Sequence, residues 1–356
     1  LDGTRREGAN LFTDSIVAVN VATGQRVWHF QQVHHDLWDY DQGSSPMIFN
    51  LKVNGEDKTI VGAAGKTGWY YLFDSKTGEL LHECPETAVS TTTSVINIDG
   101  QPEKPYPTQP MCKSEAFVSQ GDRTISHSGR TLYISPIFTP PGPPGTYISK
   151  HMSPSQWNPN VPVSDVWVEP SVYGGSDFPP LSHSPLTGLS YIPANIGPTN
   201  FTAVPDTSLH DPSKGFGIGG YWSYGRNKTD TKEEWSGQLV AYDPLEGKVK
   251  WIHKTDTFNF SGTCSTAGNL VFMPETVETS DVDKTLTYFS AFNATTGERL
   301  LQWPVPDNVS VNAGCITYEI EGKQYIAFAA GGSFNNEFGS IIGVHCDDIY
   351  VLGLPD

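Results

Sequence analysis

Short apolar runs that end in a polar turn and a glycine recur along this chain of 356 residues. In each copy an apolar strand leads into an Asp, Asn or Ser, and a Gly closes the turn. The side chain can bond its own turn while the Gly takes a positive φ, so each copy predicts a β-hairpin. The five copies are residues 18–24, 72–78, 184–188, 241–247 and 291–297.

The spacing of these hairpins predicts a β-propeller. Successive turn glycines are 54, 110, 59 and 50 residues apart, and one hairpin per roughly 50 to 60 residues is typical of propeller blades. We interpret the interval of 110 residues as two blades. No long segment has the apolar i, i+3, i+4, i+7 pattern of a helix, so the predicted fold class is all-β.

Three tryptophans, Trp28, Trp251 and Trp303, follow a turn glycine by four to six residues. This offset places each on the returning strand, where it can dock between neighbouring blades, and we expect a structural role. We expect one propeller domain over residues 1–356, with long inserted loops at about 85–165. A linker between two half-propellers is the alternative for that inserted region.

Charge and hydropathy restrict the kinds of binding partner and membrane association that we expect for this chain. The chain has 22 Lys and Arg against 39 Asp and Glu. Phosphate binding needs a basic face, so we expect no nucleic-acid partner. The sequence has no run of roughly eighteen apolar residues and no basic segment followed by an apolar core at its start. We therefore expect no membrane span in this chain and no export signal in this form of it.

The five cysteines have neither the Cys-x-x-Cys spacing of a structural zinc site nor the Cys-x-x-Cys-His motif of an attached haem. Two interpretations stay open: a disulfide between Cys84 and Cys112, or five buried thiols. An odd number leaves one cysteine unpaired or bonded outside the chain. Five sequons permit N-glycosylation in a secreting eukaryote. They lie at Asn200, Asn227, Asn259, Asn293 and Asn308.

Residues 34–41 form the densest chemical cluster of the sequence, with two histidines, three aspartates and two aromatic residues. Carboxylates beside aromatic rings either ligate a hard cation or act as a general base. Asp39 and Asp41 are the best candidates, because an i, i+2 spacing places both on one face of an extended chain. The alternative is a solvated turn in which Asp caps backbone N–H groups.

Residues 19–30 followed by 35–41 resemble the region around the catalytic aspartate of quinoprotein (PQQ-dependent) alcohol and glucose dehydrogenases. Residues 314–332 and 347–355 resemble the penultimate-blade signature and closing strand of that family. The resemblance implies an eight-bladed β-propeller, of which about six blades are represented here. Residues 1–11 resemble the segment after the family's metal-binding asparagine, so we expect the N-terminal blades to be lacking.

The resemblance implies roles for five side chains. Asp39 matches the catalytic base, which also touches the metal, and Asp41 matches an extra carboxylate found with lanthanides but also with calcium or magnesium. Lys66 matches the cation that bonds the reactive oxygens of pyrroloquinoline quinone (PQQ), where it stabilises developing charge; an exposed turn lysine is the alternative. Asp177 stands where the family usually has Asn, and Phe260 where a Trp often lines the cofactor rim.

The resemblance thus implies a PQQ-dependent dehydrogenase of a primary alcohol or sugar, with Ca²⁺ or a lanthanide ion as the metal. We expect a separate electron acceptor, a periplasmic or secreted location, and association with the missing part of the propeller or a second copy. The alternative is a catalytically degenerate propeller that serves as a secreted binding or structural module. A nicotinamide enzyme is not expected, because the sequence lacks a strand–Gly-x-Gly-x-x-Gly–helix unit.

Overall fold

The computed structural model describes residues 6–36, 38–89, 106–121, 123–127, 130–136, 165–203, 220–223, 235–278, 285–306, 309–331 and 348–353. Within these ranges the backbone forms 23 β-strands in seven sheets and no α-helix. The all-β prediction is therefore confirmed. No helix in the described ranges is long and apolar enough to cross a membrane.

Five antiparallel sheets, named A to E in chain order, form the body of the fold. Sheet A contains β1 (Ser15–Val19) and β2 (Arg26–Gln31), and sheet B contains β3 (Met47–Val53), β4 (Glu56–Ala64) and β5 (Tyr70–Asp74). A ribbon of β6 (Glu86–Ala88) and β7 (Thr108–Pro110) follows. The inserted sheet is built from β8 (Arg123–His127), β9 (Arg130–Pro136), β10 (Asp165–Glu169), β13 (Thr199–Ala203) and β14 (Gly220–Ser223).

The remaining three sheets follow toward the C-terminus. Sheet C has the order β11 (Ser182–His183), β12 (Ser190–Ile196), β15 (Ser236–Asp243), β16 (Lys248–Thr255). Sheet D runs β17 (Cys264–Thr266), β18 (Leu270–Glu278), β19 (Thr285–Asn293), β20 (Arg299–Pro304). Sheet E runs β21 (Cys315–Ile320), β22 (Lys323–Ala330), β23 (Asp348–Gly353).

Successive sheets pack face to face, as the blades of a propeller do. Alternate residues of one strand point to opposite faces, so β5 and the second half of β15, which are buried on both faces, have the apolar runs 70–73 and 239–242. Four apolar clusters join the sheets in series. They contain Ile16, Val61 and Phe73 between A and B; Ile60, Tyr70, Val240 and Tyr242 between B and C; Tyr191, Leu239, Val271 and Phe292 between C and D; and Phe272, Phe289 and Phe328 between D and E.

The predicted hairpin turns form as expected. All five turn glycines have positive φ, between 67° and 76°. At Asp74, for example, the carboxylate accepts the backbone N–H groups of Lys76 and Thr77 at 3.0 and 3.3 Å, and Asn20, Asp243 and Asn293 cap their turns in the same way. Ser184 was predicted to do so and does not, since its buried Oγ has no hydrogen-bond partner among the described residues.

The tryptophans dock on the next sheet, which confirms their structural role. The indole N–H of Trp28 donates to the carbonyl of Ser75 at 3.0 Å, and that of Trp251 to the carbonyl of Ala294 at 3.2 Å. Trp303 packs edge-on against Tyr350 of sheet E, with ring centroids 5.7 Å apart. Each contact joins one sheet to the next sheet along the chain.

The segment between the turn glycines Gly78 and Gly188 was interpreted from the sequence as two blades, and its described residues do not have that arrangement. Sheet B packs directly on sheet C: the Tyr70 and Tyr242 ring centroids are 5.5 Å apart, and the Tyr70 hydroxyl lies 3.1 Å from Ser190 Oγ. Of the described strands in the interval, β6 and β7 form the separate ribbon, β8, β9 and β10 lie in the inserted sheet, where β9 and β10 pair in parallel, and β11 begins sheet C. The chain leaves the stack after sheet B and returns at sheet C, so its length adds no blade between them. Most of residues 85–165 lies outside the described ranges.

Two disulfides are present. The predicted bond between Cys84 and Cys112 forms, which removes the alternative of five buried thiols. A second bond, which was not predicted, joins Cys264 in β17 to Cys315 in β21 and so links sheets D and E. Cys346 lies outside the described residues. Of the sequons, Asn259 is only 5% exposed and its side-chain amide lies 2.7 Å from Met273 Sδ, so it has no room for a glycan.

Glu275 in β18 is a buried carboxylate that connects sheets C and D. Ser290, Arg299 and Gln302 donate to its Oε1 at 2.5, 3.0 and 3.2 Å. His253 Nε2 of sheet C lies 3.1 Å from its Oε2. Burial raises the pKa of Glu275, but the bonds from His253, Ser290 and Arg299 outweigh that effect and hold the pKa below its ordinary value.

We expect Glu275→Gln to lower the free energy of unfolding by about 2 kcal/mol at pH 7, because its partners lose a charged acceptor. The matched control is Glu246→Gln, which removes an exposed ion pair with Lys250 and should cost less than about 1 kcal/mol. Urea denaturation measures both. Because the folded pKa of Glu275 is depressed, the excess cost of its substitution should shrink as pH falls below the usual glutamate range. Equal losses for the two variants would contradict the role of the network.

Candidate functional site

The loop of residues 32–43 follows strand β2 and carries the predicted carboxylates. Asp36 organises it: one carboxylate oxygen accepts the backbone N–H of Trp38 at 2.8 Å, and the other accepts that of Tyr40 at 2.7 Å. Tyr40 is fully buried, and its hydroxyl donates to the carbonyl of Pro170. Asp36 therefore caps backbone N–H groups, which was the alternative role considered for the aspartates of this cluster.

Lys66 brings Asp39 and Asp41 together. Its ammonium nitrogen lies 3.2 Å from Oδ2 of Asp39 and 2.8 Å from Oδ1 of Asp41. The expectation of an extended chain at these two residues is wrong, because Asp39 has a left-handed backbone with φ of 64°. A turn, and not a strand, directs both carboxylates to the same group.

Lys66 lies just after strand β4 and is 5% exposed, which rules out the exposed turn lysine. Residues 174–176 enclose it: the Gly175 amide donates to the Lys66 carbonyl at 3.0 Å, and the Ser176 amide to the Gly65 carbonyl at 3.2 Å. Gly174 permits this close approach. Its φ is +66°, and a Cβ there would lie 2.2 Å from Cα of Lys66.

Asp177 supplies a third carboxylate to the same ammonium group. Its Oδ1 lies 3.8 Å from Lys66 Nζ, and its side chain is 13% exposed. Burial raises the pKa of Asp177 to about 6, although Lys66 lowers it. A Cβ on Gly43 would lie 2.9 Å from Asp177 Oδ1, so glycine at position 43 allows the loop to close against this side chain.

The site carries more negative than positive charge. Burial lowers the pKa of Lys66, but Asp177, Asp39 and Asp41 raise it by more, so the pKa lies above its ordinary value and the ammonium group stays charged. The side chains of Asp39 and Asp41 are 45% and 55% exposed, and they form the open side of the site. One ammonium group among three carboxylates leaves a local field that attracts a further cation.

Phe260 reaches the site through the segment that carries Asp177. Its ring stacks on Phe178, the next residue after Asp177, with centroids 5.9 Å apart and an interplanar angle of 13°. Tyr173 meets it edge-on at 5.3 Å. Phe260 therefore lies against the segment that carries Asp177, and Asp177 in turn lies beside Lys66.

The donor set fits part of a shell for a metal ion and a quinone. Asp39 and Asp41 offer carboxylate oxygens, the ligands of hard cations, but two residues do not complete about six to eight ligands. The described residues contain no group of three or more His, Cys, Asp or Glu that could hold a metal ion. For a quinone, Lys66 offers a fixed cationic donor. The hydroxyl of Ser176, beside Asp177, is buried without a hydrogen-bond partner among the described residues.

The glycines that close the site were not identified from the sequence. Gly43, Gly65 and Gly174 all lie where a Cβ would be less than 3.0 Å from a neighbouring atom; for Gly65 that atom is Oε1 of Gln42. Consecutive glycines at 174 and 175, one residue short of Asp177, were the available local signal.

Comparisons with known proteins agree with this fold. The family model described as "PQQ: Glucose/ethanol/alcohol dehydrogenase, beta-propeller domain" matches residues 1–217 and 236–326. Quinohemoprotein alcohol dehydrogenase ADH-IIG of Pseudomonas putida is 29% identical over 345 residues, which cover 95% of this chain and 40% of that protein. Quinoprotein glucose dehydrogenase of Escherichia coli is 27% identical over 395 residues, covering 99% and 46%. The solved structure of the quinohemoprotein alcohol dehydrogenase from P. putida HK5 matches with a TM-score of 0.61 at 28% identity, covering 91% of this chain and 40% of that one.

The fold is a β-propeller of the quinoprotein dehydrogenase type. The chain belongs to the PQQ-dependent glucose/ethanol/alcohol dehydrogenase family, since the family model matches well over half of its residues. It spans less than half the length of the curated relatives described above.

We expect Gly174→Ala to lower the free energy of unfolding by about 3 kcal/mol, because left-handed backbone strain adds to the clash with Lys66. Gly188→Ala is the matched control: its φ is +73°, and nothing lies within 4 Å of the added Cβ. That variant should cost about 1 kcal/mol from strain alone. Urea denaturation of both variants tests the close approach. Similar losses would show that Gly174 is needed only for its φ.

The Asp177→Asn variant should change how stability depends on pH. Folding raises the pKa of Asp177 to about 6, so its ionisation destabilises the folded protein as pH rises from about 4 to 7. An amide does not ionise, and the variant should therefore gain unfolding free energy relative to wild type over this range, by up to about 3 kcal/mol. Denaturation curves between pH 4 and pH 8 measure the difference. Asp57→Asn, at an exposed position, should show no comparable trend.

Proposed function

We propose that the intact protein that contains this chain is a PQQ-dependent dehydrogenase that oxidises a primary alcohol or a sugar. The observation that carries the proposal is the buried ammonium group of Lys66, which bonds Asp39 and Asp41 and lies beside Asp177. Membership of the family supplies the reaction class. The substrate, cofactors and acceptor belong to the proposal.

Asp39 is the proposed general base. Its carboxylate accepts a hydrogen bond from Lys66 and remains 45% exposed, so a substrate hydroxyl can approach it. Removal of the hydroxyl proton by a positioned carboxylate accelerates a reaction by about 10²- to 10⁴-fold. When bound, PQQ accepts hydride and the metal ion acts as a Lewis acid.

Lys66, Asp177 and Phe260 are the proposed cofactor-binding residues. Lys66 provides a fixed positive charge in a site of low solvent exposure, where such a charge stabilises a developing oxyanion strongly. Asp177, with a pKa of about 6, is a donor only when protonated, so it replaces the amide donor of the family only in part. Phe260, stacked on Phe178, offers an apolar wall.

Asp39 and Asp41 are the proposed protein ligands for Ca²⁺ or a lanthanide ion. Oxygen donors and the excess negative charge of the site favour a hard cation, and this cation also offsets the repulsion between the carboxylates and an anionic quinone. The remaining ligands come from outside the residues described here. We therefore propose that this chain alone is inactive.

In this proposal electrons pass to an acceptor outside this chain, which itself contains no Cys-x-x-Cys-His haem-attachment motif. We place the reaction in the periplasm or outside the cell, where the Cys84–Cys112 and Cys264–Cys315 disulfides are stable. The second candidate function is a non-catalytic propeller that serves as a binding or structural module. Asp177 in place of the family's Asn favours it.

In the intact protein loaded with PQQ and Ca²⁺, Asp39→Asn should reduce kcat by at least about 10²-fold, because an amide of the same size does not accept the proton. The thermal midpoint should stay within a few degrees of wild type. Asp57→Asn, at an exposed position near the start of β4, should retain full activity. Dye-linked alcohol oxidation measures kcat.

Two outcomes would contradict the proposal. Activity that persists without quinone and in the presence of a chelator would reject the PQQ mechanism. Intact protein that binds neither PQQ nor metal, by absorbance and elemental analysis, would favour the non-catalytic propeller.

A further inference from the structure

We propose that Asp36 is a positioning residue that holds Asp39 in its working orientation. The inference rests on the proposed function of Asp39, but the contacts that support it belong to the chain itself. Asp36 lies three residues before Asp39, and its side chain makes no bond to Lys66. It acts on the backbone of the two residues that flank Asp39.

The Asp36 carboxylate closes a small ring around Asp39. Oδ1 accepts the amide proton of Trp38 at 2.8 Å and Oδ2 that of Tyr40 at 2.7 Å. These are the amides immediately before and after the amide of Asp39. Each oxygen has its own donor, so the peptide unit that carries the Trp38 N–H and the one that carries the Tyr40 N–H, directly after Asp39, are fixed in direction.

These two hydrogen bonds act next to a residue whose backbone conformation is unfavourable. Asp39 adopts φ of 64°, a left-handed conformation that costs an L-residue other than glycine about 1–2 kcal/mol. A short loop without a restraint would relax toward a right-handed or extended conformation. In either of those, the Asp39 side chain would leave the direction of Lys66. The two hydrogen bonds from Asp36 offset the strain and select the conformation that makes the ion pair.

Both ends of the ring are anchored. The guanidinium of Arg6 donates to the backbone carbonyl of Asp36 at 2.9 Å. At the other end, the buried Tyr40 hydroxyl donates to the carbonyl of Pro170, at the start of the segment that carries Asp177. Asp36 therefore joins the loop of the proposed base to the opposite wall of the site.

A carboxylate suits position 36 because two backbone N–H groups donate to this side chain. Ionised Asp presents two acceptor oxygens, whereas Asn presents one acceptor and one donor, and the donor would face a backbone N–H. Burial raises the pKa of Asp36 to about 7 although the bonds from Trp38 and Tyr40 lower it. A buried carboxylate at position 36 thus lowers the stability of the folded protein. Its role is to fix the geometry of the loop.

The test compares Asp36→Ala and Asp36→Asn with Asp74→Ala in the intact protein. Asp74 caps two backbone amides in the same way, but in the distant turn after β5, so it controls for the loss of a cap. We expect Asp36→Ala to lower kcat by about 10²-fold with KM changed by less than about threefold, because misplacement of a base acts on the chemical step. Asp36→Asn, which keeps one acceptor, should recover part of that loss. Asp74→Ala should leave kcat unchanged.

A second readout separates this inference from the proposed function. Amide hydrogen exchange, resolved to single residues by mass spectrometry, should show faster exchange at Trp38 and Tyr40 in Asp36→Ala and unchanged exchange in Asp74→Ala. Faster exchange in an intact protein that has no dehydrogenase activity would support the positioning role and reject the enzymatic one. Unchanged exchange at both amides, or an equal fall of kcat in Asp74→Ala, would overturn the inference. If Asp36→Ala does not fold, Asp36→Asn alone decides by the same two measurements.

Discussion

The ammonium group of Lys66 is buried, and an isolated charge in such a place would cost several kcal/mol. Three carboxylates prevent that cost: Asp41 and Asp39 in direct contact and Asp177 slightly farther away. The aspartate pair, Lys66 and Asp177 lie on three segments that are widely separated in the sequence, so the ion pairs form only when the loop after sheet A, the turn between β4 and β5, and the segment before sheet C meet. The charged site can therefore form only if the sheets pack in this order.

Close packing makes that meeting possible. Gly174 lets residues 174–176 lie against the backbone of Lys66, and Gly43 lets the aspartate loop approach Asp177. The apolar clusters between sheets set the distance from one sheet to the next, while Trp28 and Trp251 fix the register at the outer turns. A charged site of this kind needs rigid walls, because its energy changes steeply with distance in a medium of low dielectric constant.

The features that could be predicted are those that depend on nearby residues. The hairpin turns were predictable because Asn20 or Asp74 bonds amides two and three residues away. Ser184 makes no such bond, since its buried Oγ has no hydrogen-bond partner among the described residues. Asp39 and Lys66 were recognised from family resemblance, while their contact arises from packing. The inserted sheet, the Cys264–Cys315 bond and the Gly174 contact depend on segments far apart in sequence, for which a single sequence holds no distance information.

The serial packing of the sheets also affects how the protein opens. Sheets B, C and D each have an apolar cluster on both faces, whereas A and E each have one among the described residues. Each interface in such a stack contributes separately to stability, so one interface can open while the others stay packed. Asp39 and Asp41 lie on the loop that follows sheet A, whereas Lys66 lies between two strands of sheet B. Opening of the interface between sheets A and B would therefore separate the two carboxylates from the ammonium group and expose that group to solvent while sheet B stays packed on sheet C.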